Sequence, residues 1–168
     1  MESQGQSQDK RPRNDRPDEL ASLDHLDMKI LERLLIEGRV SLRQMAHEFH
    51  TSTSTVSSRV TRLEQAGVIT GYSVAVNFES LGYDLAAVTE IIVSKGKLSL
   101  TEKEIAKLPG VCAVYDVTGE NDCIVVAKFR KREDLSAFAK GLLSMPFVER
   151  ANTHVVLATV KEDFRLPL

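Results

Sequence analysis

Residues 41–72 read SLRQMAHEFHTSTSTVSSRVTRLEQAGVITGY, and this stretch decides how the rest of the chain is organised. Ser41 and Gln44 have the spacing of a capping box, and Leu42, Met45, Ala46 and Phe49 fall on one stripe at helical period. The pattern predicts a helix of about two turns, too short to be stable without neighbours. After His50 and Thr51, Ser52 is placed to cap a second helix that runs to about Ala66 and stops at Gly67.

At about 100° per residue, Val56, Val60 and Leu63 share one side of that second helix. Ser54, Ser58, Thr61 and Gln65 lie opposite, with Ser57 and Arg62 at the flanks. Five hydroxyl side chains within residues 53–58 run against helix propensity, since a merely solvated face would carry Glu, Lys or Ala. Short polar side chains let a helix axis approach base edges in the major groove. The pair is expected to read DNA as a helix-turn-helix, with Ser52, Ser54, Thr55, Ser57, Ser58, Arg59, Thr61 and Arg62 as the DNA-facing set. Arg59 lies only about 60° from the apolar stripe, so it either folds back onto an acid of the chain's first helix, described next, or reaches DNA. Arg62 points further out and is expected on phosphate.

Upstream, Leu26, Ile30, Leu31, Leu34 and Leu35 recur at helical spacing. Asp24 is placed to cap that helix with Asp27 in its first turn, and Gly38 is expected to close it. Residues 1–22 are polar and mixed in charge without apolar period, which predicts a disordered arm; acids there match bases too closely for a basic arm on the DNA backbone. The DNA-reading domain is thus placed at 23–72. Downstream, Val68, Ile69, Tyr72, Val74 and Val76 alternate, which predicts a wing beside the helices or a linker strand, and the linker and hinge are placed at 73–84.

The second half has another rhythm. Strands are predicted at 85–93, 111–118, 123–130 and 149–160, and helices at 101–108 and 133–143, with Gly119, Glu120, Asn121 and Asp122 as the turn of the central hairpin. Strand, helix, strand, strand, helix, strand is a split βαβ unit, so the fold class is α+β: a helix-turn-helix, winged-helix-like domain followed by a ferredoxin-like βαββαβ domain at 85–162 and a tail at 163–168. Both helices cover one face of the sheet. Runs such as Ile91, Ile92, Val93 and Ile124, Val125, Val126 put apolar residues on the other face too, which predicts a homodimer through the sheet.

A net charge of −2 gives no whole-protein attraction to nucleic acid, so any DNA contact must come from local arrangement. No apolar run approaches the roughly 18 residues needed to cross a bilayer, so a soluble, cytoplasmic protein without a membrane partner is expected. On the predicted hairpin Cys123 lies opposite about Thr118 and Cys112 several residues away, so reduced thiols are expected. The histidines are His25, His47, His50 and His154; His47, Glu48 and His50 do not form the H-E-x-x-H zinc pattern, and there is no cysteine cluster. No metal, no cofactor and no catalytic activity are expected.

The words LDHLDMKILERLLIEGRVSLRQMA, VSSRVTRLEQAGVITGYSVAVN, LGY, VTGENDCIVV and RANTHVVLATVKE, in this order, resemble the Lrp/AsnC or feast/famine family of transcriptional regulators over about residues 23–162. The resemblance implies homodimers, often built into tetramers or octamers, that bind pseudo-palindromic double-stranded promoter DNA. It implies a RAM-type C-terminal domain that senses a small molecule, commonly an amino acid, at an interface between dimers. The turn with Gly119, Asn121 and Asp122 matches the family's G-x-x-D loop, and Thr153, His154, Val155 and Val156 match the last-strand segment that lines the effector site. By spacing alone, Gly119 and Asp122 could equally make and cap a hairpin. Backbone N–H groups at such a turn suit a carboxylate, and Asp122 suits an ammonium.

The chain departs from the family where His50 replaces the usual inter-helix Gly, and where Ser58 and Thr61 stand at positions that are often basic. A shallow salt dependence, or affinity drawn from several dimers, is expected. Two alternatives share the architecture. Siroheme-decarboxylase-like enzymes would need His and Arg around a tetrapyrrole, which a chain with three of four histidines in the helical unit supplies poorly. An effector-binding oligomer that does not read DNA is favoured by the near-neutral charge and by Ser58 and Thr61.

Overall fold

The computed structural model describes residues 23–168, so the arm expected at 1–22 lies outside the described residues. The chain divides into two compact units: one holds the residues up to Val74 together with Phe164–Leu168, the other is Ala75–Asp163.

In the first unit, α1 (His25–Ile36) starts at Asp24, whose carboxylate accepts the amides of Leu26 and Asp27 while the Asp27 carboxylate accepts the Asp24 amide. The box satisfies amides that a helix start leaves orphaned. Its end differs from expectation: Glu37 breaks the helix in extended conformation, and Gly38 does not adopt a positive φ. Ser41 and Gln44 form the expected capping box of α2 (Leu42–Glu48), and Ser52 caps α3 (Thr53–Gln65), which Gly67 terminates at φ 69°.

Between α2 and α3, the His50 amide donates to His47 O and the Thr51 amide to Ala46 O, the paired bonds of a Schellman motif. His50 holds the left-handed position at φ 53°, the one non-glycine positive φ among the described residues. Ile30, Met45, Val56 and Leu63 are fully or almost fully buried between the three helices. Each such side chain contributes about 1.5–3 kcal/mol, which is what holds the short α2 in place.

The strand expected at 68–76 is not formed. Val68 and Ile69 both donate their amides to Leu63 O and pack on the helical core, and beyond them Tyr72, Val74 and Val76 are exposed with no ladder. An alternating sequence becomes a strand only against a partner edge, and the described residues of one chain offer none there.

The second unit contains β1 (Leu85–Val93), α4 (Leu98–Ile105), β2 (Val111–Asp116), β3 (Cys123–Phe129), α5 (Arg132–Leu143) and β4 (Val148–Val155), in an antiparallel sheet of order β2-β3-β1-β4. Ala87, Ile91 and Val93 of β1 and Cys123, Val125, Ala127 and Phe129 of β3 form one core with Ile105 of α4 and Phe138 and Leu142 of α5. Both helices therefore cover one face, as expected. The other face carries Val88, Ile92, Ile124 and Val126, half-buried, with exposed Tyr115.

Several boundaries shift. α4 starts three residues before the expected Thr101, whose hydroxyl instead donates to Lys97 O inside the first turn. β2 ends at Asp116 opposite Cys123, so the hairpin loop spans 117–122 and Cys123 does not face Thr118; both cysteines are free. β4 stops at Val155 because β1, its only neighbour, runs out, which leaves Leu157 and Val160 almost fully exposed.

Candidate functional site

The outer surface of α3 carries the hydroxyls in an organised set. Ser52 Oγ accepts the Thr55 amide at 3.0 Å and lies 2.8 Å from both Ser54 Oγ and Thr55 Oγ1, and Ser58 Oγ donates to Thr55 O at 3.0 Å. Ser54, Ser58 and Thr61 are exposed, and Thr55 and Ser57 are half-buried. The network fixes the first turn of the helix whose N-terminal residues would meet base edges. Its positive end also faces outward, which suits a phosphate.

Both arginines pair with α1. The Arg62 guanidinium meets the carboxylate of fully buried Asp27, and its side chain stays more exposed than that of Arg59, 47% against 29%. Arg59 takes the fold-back alternative, donating to Asp24 and, at 3.2 Å, to both Asp27 oxygens. A buried carboxylate is costly without paired charge, and two converging guanidiniums supply it. The backbone amide of Asp27, and after it the Arg59 guanidinium, hold the Asp24 carboxyl down to about 2. From sequence Asp24 and Asp27 are legible only as the cap and first turn of α1; their role as the named partners of Arg59 and Arg62 comes from the contact between α1 and α3.

In the second unit, Asp122 pins the hairpin loop to β1: its amide donates to Ile91 O at 3.0 Å and its Oδ2 accepts the Val93 amide at 2.8 Å. Asp122 and its neighbour Asn121 are both half-buried. Gly119 sits at φ 128°, where an added Cβ meets nothing within 4 Å, so the loop is open over this residue.

The last-strand residues do not share one surface. Thr153 turns to the helix-covered side, its Oγ1 accepting from buried Thr89 at 3.1 Å. His154 turns to the open side, with Nε2 3.0 Å from Asn152 and 3.7 Å from Glu90. Val155 is exposed opposite Ala87, and Val156 lies just past the strand with its amide on Ala86 O. Asp122 sits at the Ile91–Val93 end of β1 and Val155 at the Ala87 end, at least four residues or about 13 Å apart along the strand. One chain does not bring the two segments into a single pocket.

Residues 23–70 match a winged helix-turn-helix DNA-binding domain, and residues 86–166 match the Lrp/AsnC ligand binding domain. An uncharacterised HTH-type transcriptional regulator of Pyrococcus horikoshii is 51% identical over 144 residues, covering 86% of this chain and 97% of its own. The chain belongs to the Lrp/AsnC family. Another HTH-type transcriptional regulator, from Pyrococcus furiosus, is 36% identical over 146 residues and is covered to 97%, with 87% of this chain. Among solved structures, a transcriptional regulator of Neisseria meningitidis in complex with L-Met superposes with a TM-score of 0.79 at 30% identity, covering 87% of this chain and 97% of its own. AsnC of E. coli superposes at 0.80 with 26% identity, over 86% and 99% of the two chains.

As an Lrp/AsnC regulator, the protein combines a DNA-binding helix-turn-helix with a small-molecule-binding domain. Among the described residues no helix is long and apolar enough to cross a membrane, and no group of three His, Cys, Asp or Glu side chains is placed to hold a metal ion.

Proposed function

We propose that this Lrp/AsnC regulator works in the cytoplasm, without catalysis, as a homodimer joined through the open face of its sheet, reading promoter DNA with the hydroxyl face of α3. An amino acid would be held by the 119–122 loop of one dimer against residues 153–156 of another. The observation that carries the reading is the second face of the sheet, where Val88, Ile92, Ile124 and Val126 lie without any covering helix. An apolar surface of this kind is stable in water when a second copy covers it. The separation of Asp122 from Val155 within one chain fits an effector site completed by a neighbouring dimer, and the L-Met complex of the Neisseria relative supports an amino acid as its ligand.

The test is sedimentation and thermal shift on the full chain. Wild type sediments at twice 18.7 kDa or a multiple of it, and Val126→Asp reduces the mass to that of one chain. One or more amino acids raise the melting midpoint, as a ligand bound only by the native state does, and Asp122→Ala removes the rise. A monomeric wild type, or a panel in which Asp122→Ala removes no amino acid's response, contradicts the reading.

A further inference from the structure

At the far end of β3 from Asp122, the loop before β2 and one face of α5 line an open pocket of about 510 Å³, within the range of small-molecule pockets. Its floor is Leu108, Phe129 and Phe138, the two phenylalanine rings 5.2 Å apart. Asp134, Ala137, Phe138 and Gly141 line it from α5 at i, i+3, i+4 and i+7, which is one helix face.

Three features of its wall are unexplained by folding alone. The Arg130 guanidinium is stacked 4.5 Å over the Tyr83 ring, and among the described residues no carboxylate pairs with it. Stacking fixes such a group in place and leaves its hydrogen-bond fork unused. Asp134, also on the wall, has no cation partner among the described residues. Gly141 sits inside α5 without a positive φ, and an added Cβ there would meet nothing within 4 Å. Glycine weakens a helix, and here neither backbone nor packing calls for it. Gly110 shows the contrast: at φ 83° its added Cβ would stand 2.6 Å from Lys128 O. Lys128 itself is committed to Glu162 and to the Phe78 ring.

We infer that this cavity is a second small-molecule site, which takes a small carboxylate with an apolar body. The carboxylate meets Arg130, the body lies on Leu108, Phe129 and Phe138, and Asp134 favours the form that carries an α-ammonium. Gly141 keeps the wall open. Arg130 and Asp122 flank the two ends of β3, about 25 Å apart along an extended chain, so the site is independent of the hairpin loop.

Calorimetry on the full-length protein tests this with L-phenylalanine, L-leucine and their deamino analogues 3-phenylpropanoate and 4-methylpentanoate. At least one pair binds, the amino form more tightly. Gly141→Leu, which fills the cavity and removes a helix glycine, abolishes that binding while melting no lower than wild type. Arg130→Ala weakens both members of the pair at least tenfold, and Asp134→Asn removes the preference for the amino form. The inference is overturned if none of the four binds, or if binding survives Gly141→Leu. Loss of binding in Asp122→Ala alone also overturns it and returns the ligand to the hairpin loop. A change of oligomeric mass in Gly141→Leu without ligand heat in wild type overturns it as well, and gives the cavity to a second copy of the chain.

Discussion

The buried carboxylate of Asp27 holds the guanidinium of Arg62 against α1, across 35 residues of sequence. The pair ties α3 to α1 and engages, on the α1 side, the arginine best placed by sequence to meet a phosphate, with its side chain still about half exposed. Asp27→Asn is expected to destabilise the first unit by about 1.5–3 kcal/mol, since it removes charge-assisted hydrogen bonds to two arginines that stay partly solvated. Denaturant midpoints measure this. Each lost phosphate contact lowers the salt slope of DNA binding by about 0.9, so Arg62→Ala, which removes an arginine already engaged by Asp27, should change that slope by less than about half as much.

Asp24 gives the first unit an acid-sensitive start. Its carboxyl is held at about 2 against an ordinary 3.8, by the Asp27 amide first and the Arg59 guanidinium second. For a lowered carboxyl the sign is fixed: the contribution to stability is complete above the ordinary value and disappears as pH falls through the folded one. Thermal melts should therefore show wild type losing midpoint more steeply than Asp24→Asn between about pH 4 and about pH 2.

His50 occupies a position built for glycine. At φ 53° a side chain costs about 1–2 kcal/mol, part of which glycine would return in unfolded-chain entropy. His50→Gly is expected to stabilise the first unit by about 1 kcal/mol, or about 5 °C in its melting temperature. A decrease would mean that the imidazole makes a compensating contact.

The two thiols should differ sharply. Cys123 is fully buried, and burial with the nearby carboxylates of Glu102, Asp116 and Asp122 pushes its thiol up to about 11, whereas Cys112 is exposed on β2. Alkylation near neutral pH should label one thiol in the native protein and two after unfolding, because the thiolate is the reacting form. Mass spectrometry of the labelled peptides assigns the site.

Legibility followed the range of the interactions. The caps at Asp24, Ser41 and Ser52, and the alternation of β1 and β3, are local, and each was readable from residues a few positions apart. The fate of Arg62 was not, because it depends on a carboxylate brought in by a different helix. The segment at 68–76 was misread for a related reason: alternation records a propensity, while a strand also needs an edge to pair with. β4 was read too long because its end is set by where β1 begins. At the 119–122 loop, the Gly119 turn is visible in sequence, but the bond from the Val93 amide to Asp122 is hidden in tertiary pairing.

The most direct measurement is footprinting of the full-length protein on the DNA upstream of its own coding sequence, at moderate salt, for wild type and Ser54→Ala. The hydroxyl face of α3 predicts two protected half-sites about one helical turn, roughly 10 base pairs, apart, with protection by Ser54→Ala requiring several-fold more protein. No protected region at any concentration that keeps the protein soluble, or equal protection by both proteins, would contradict the assignment of α3 as the reading helix.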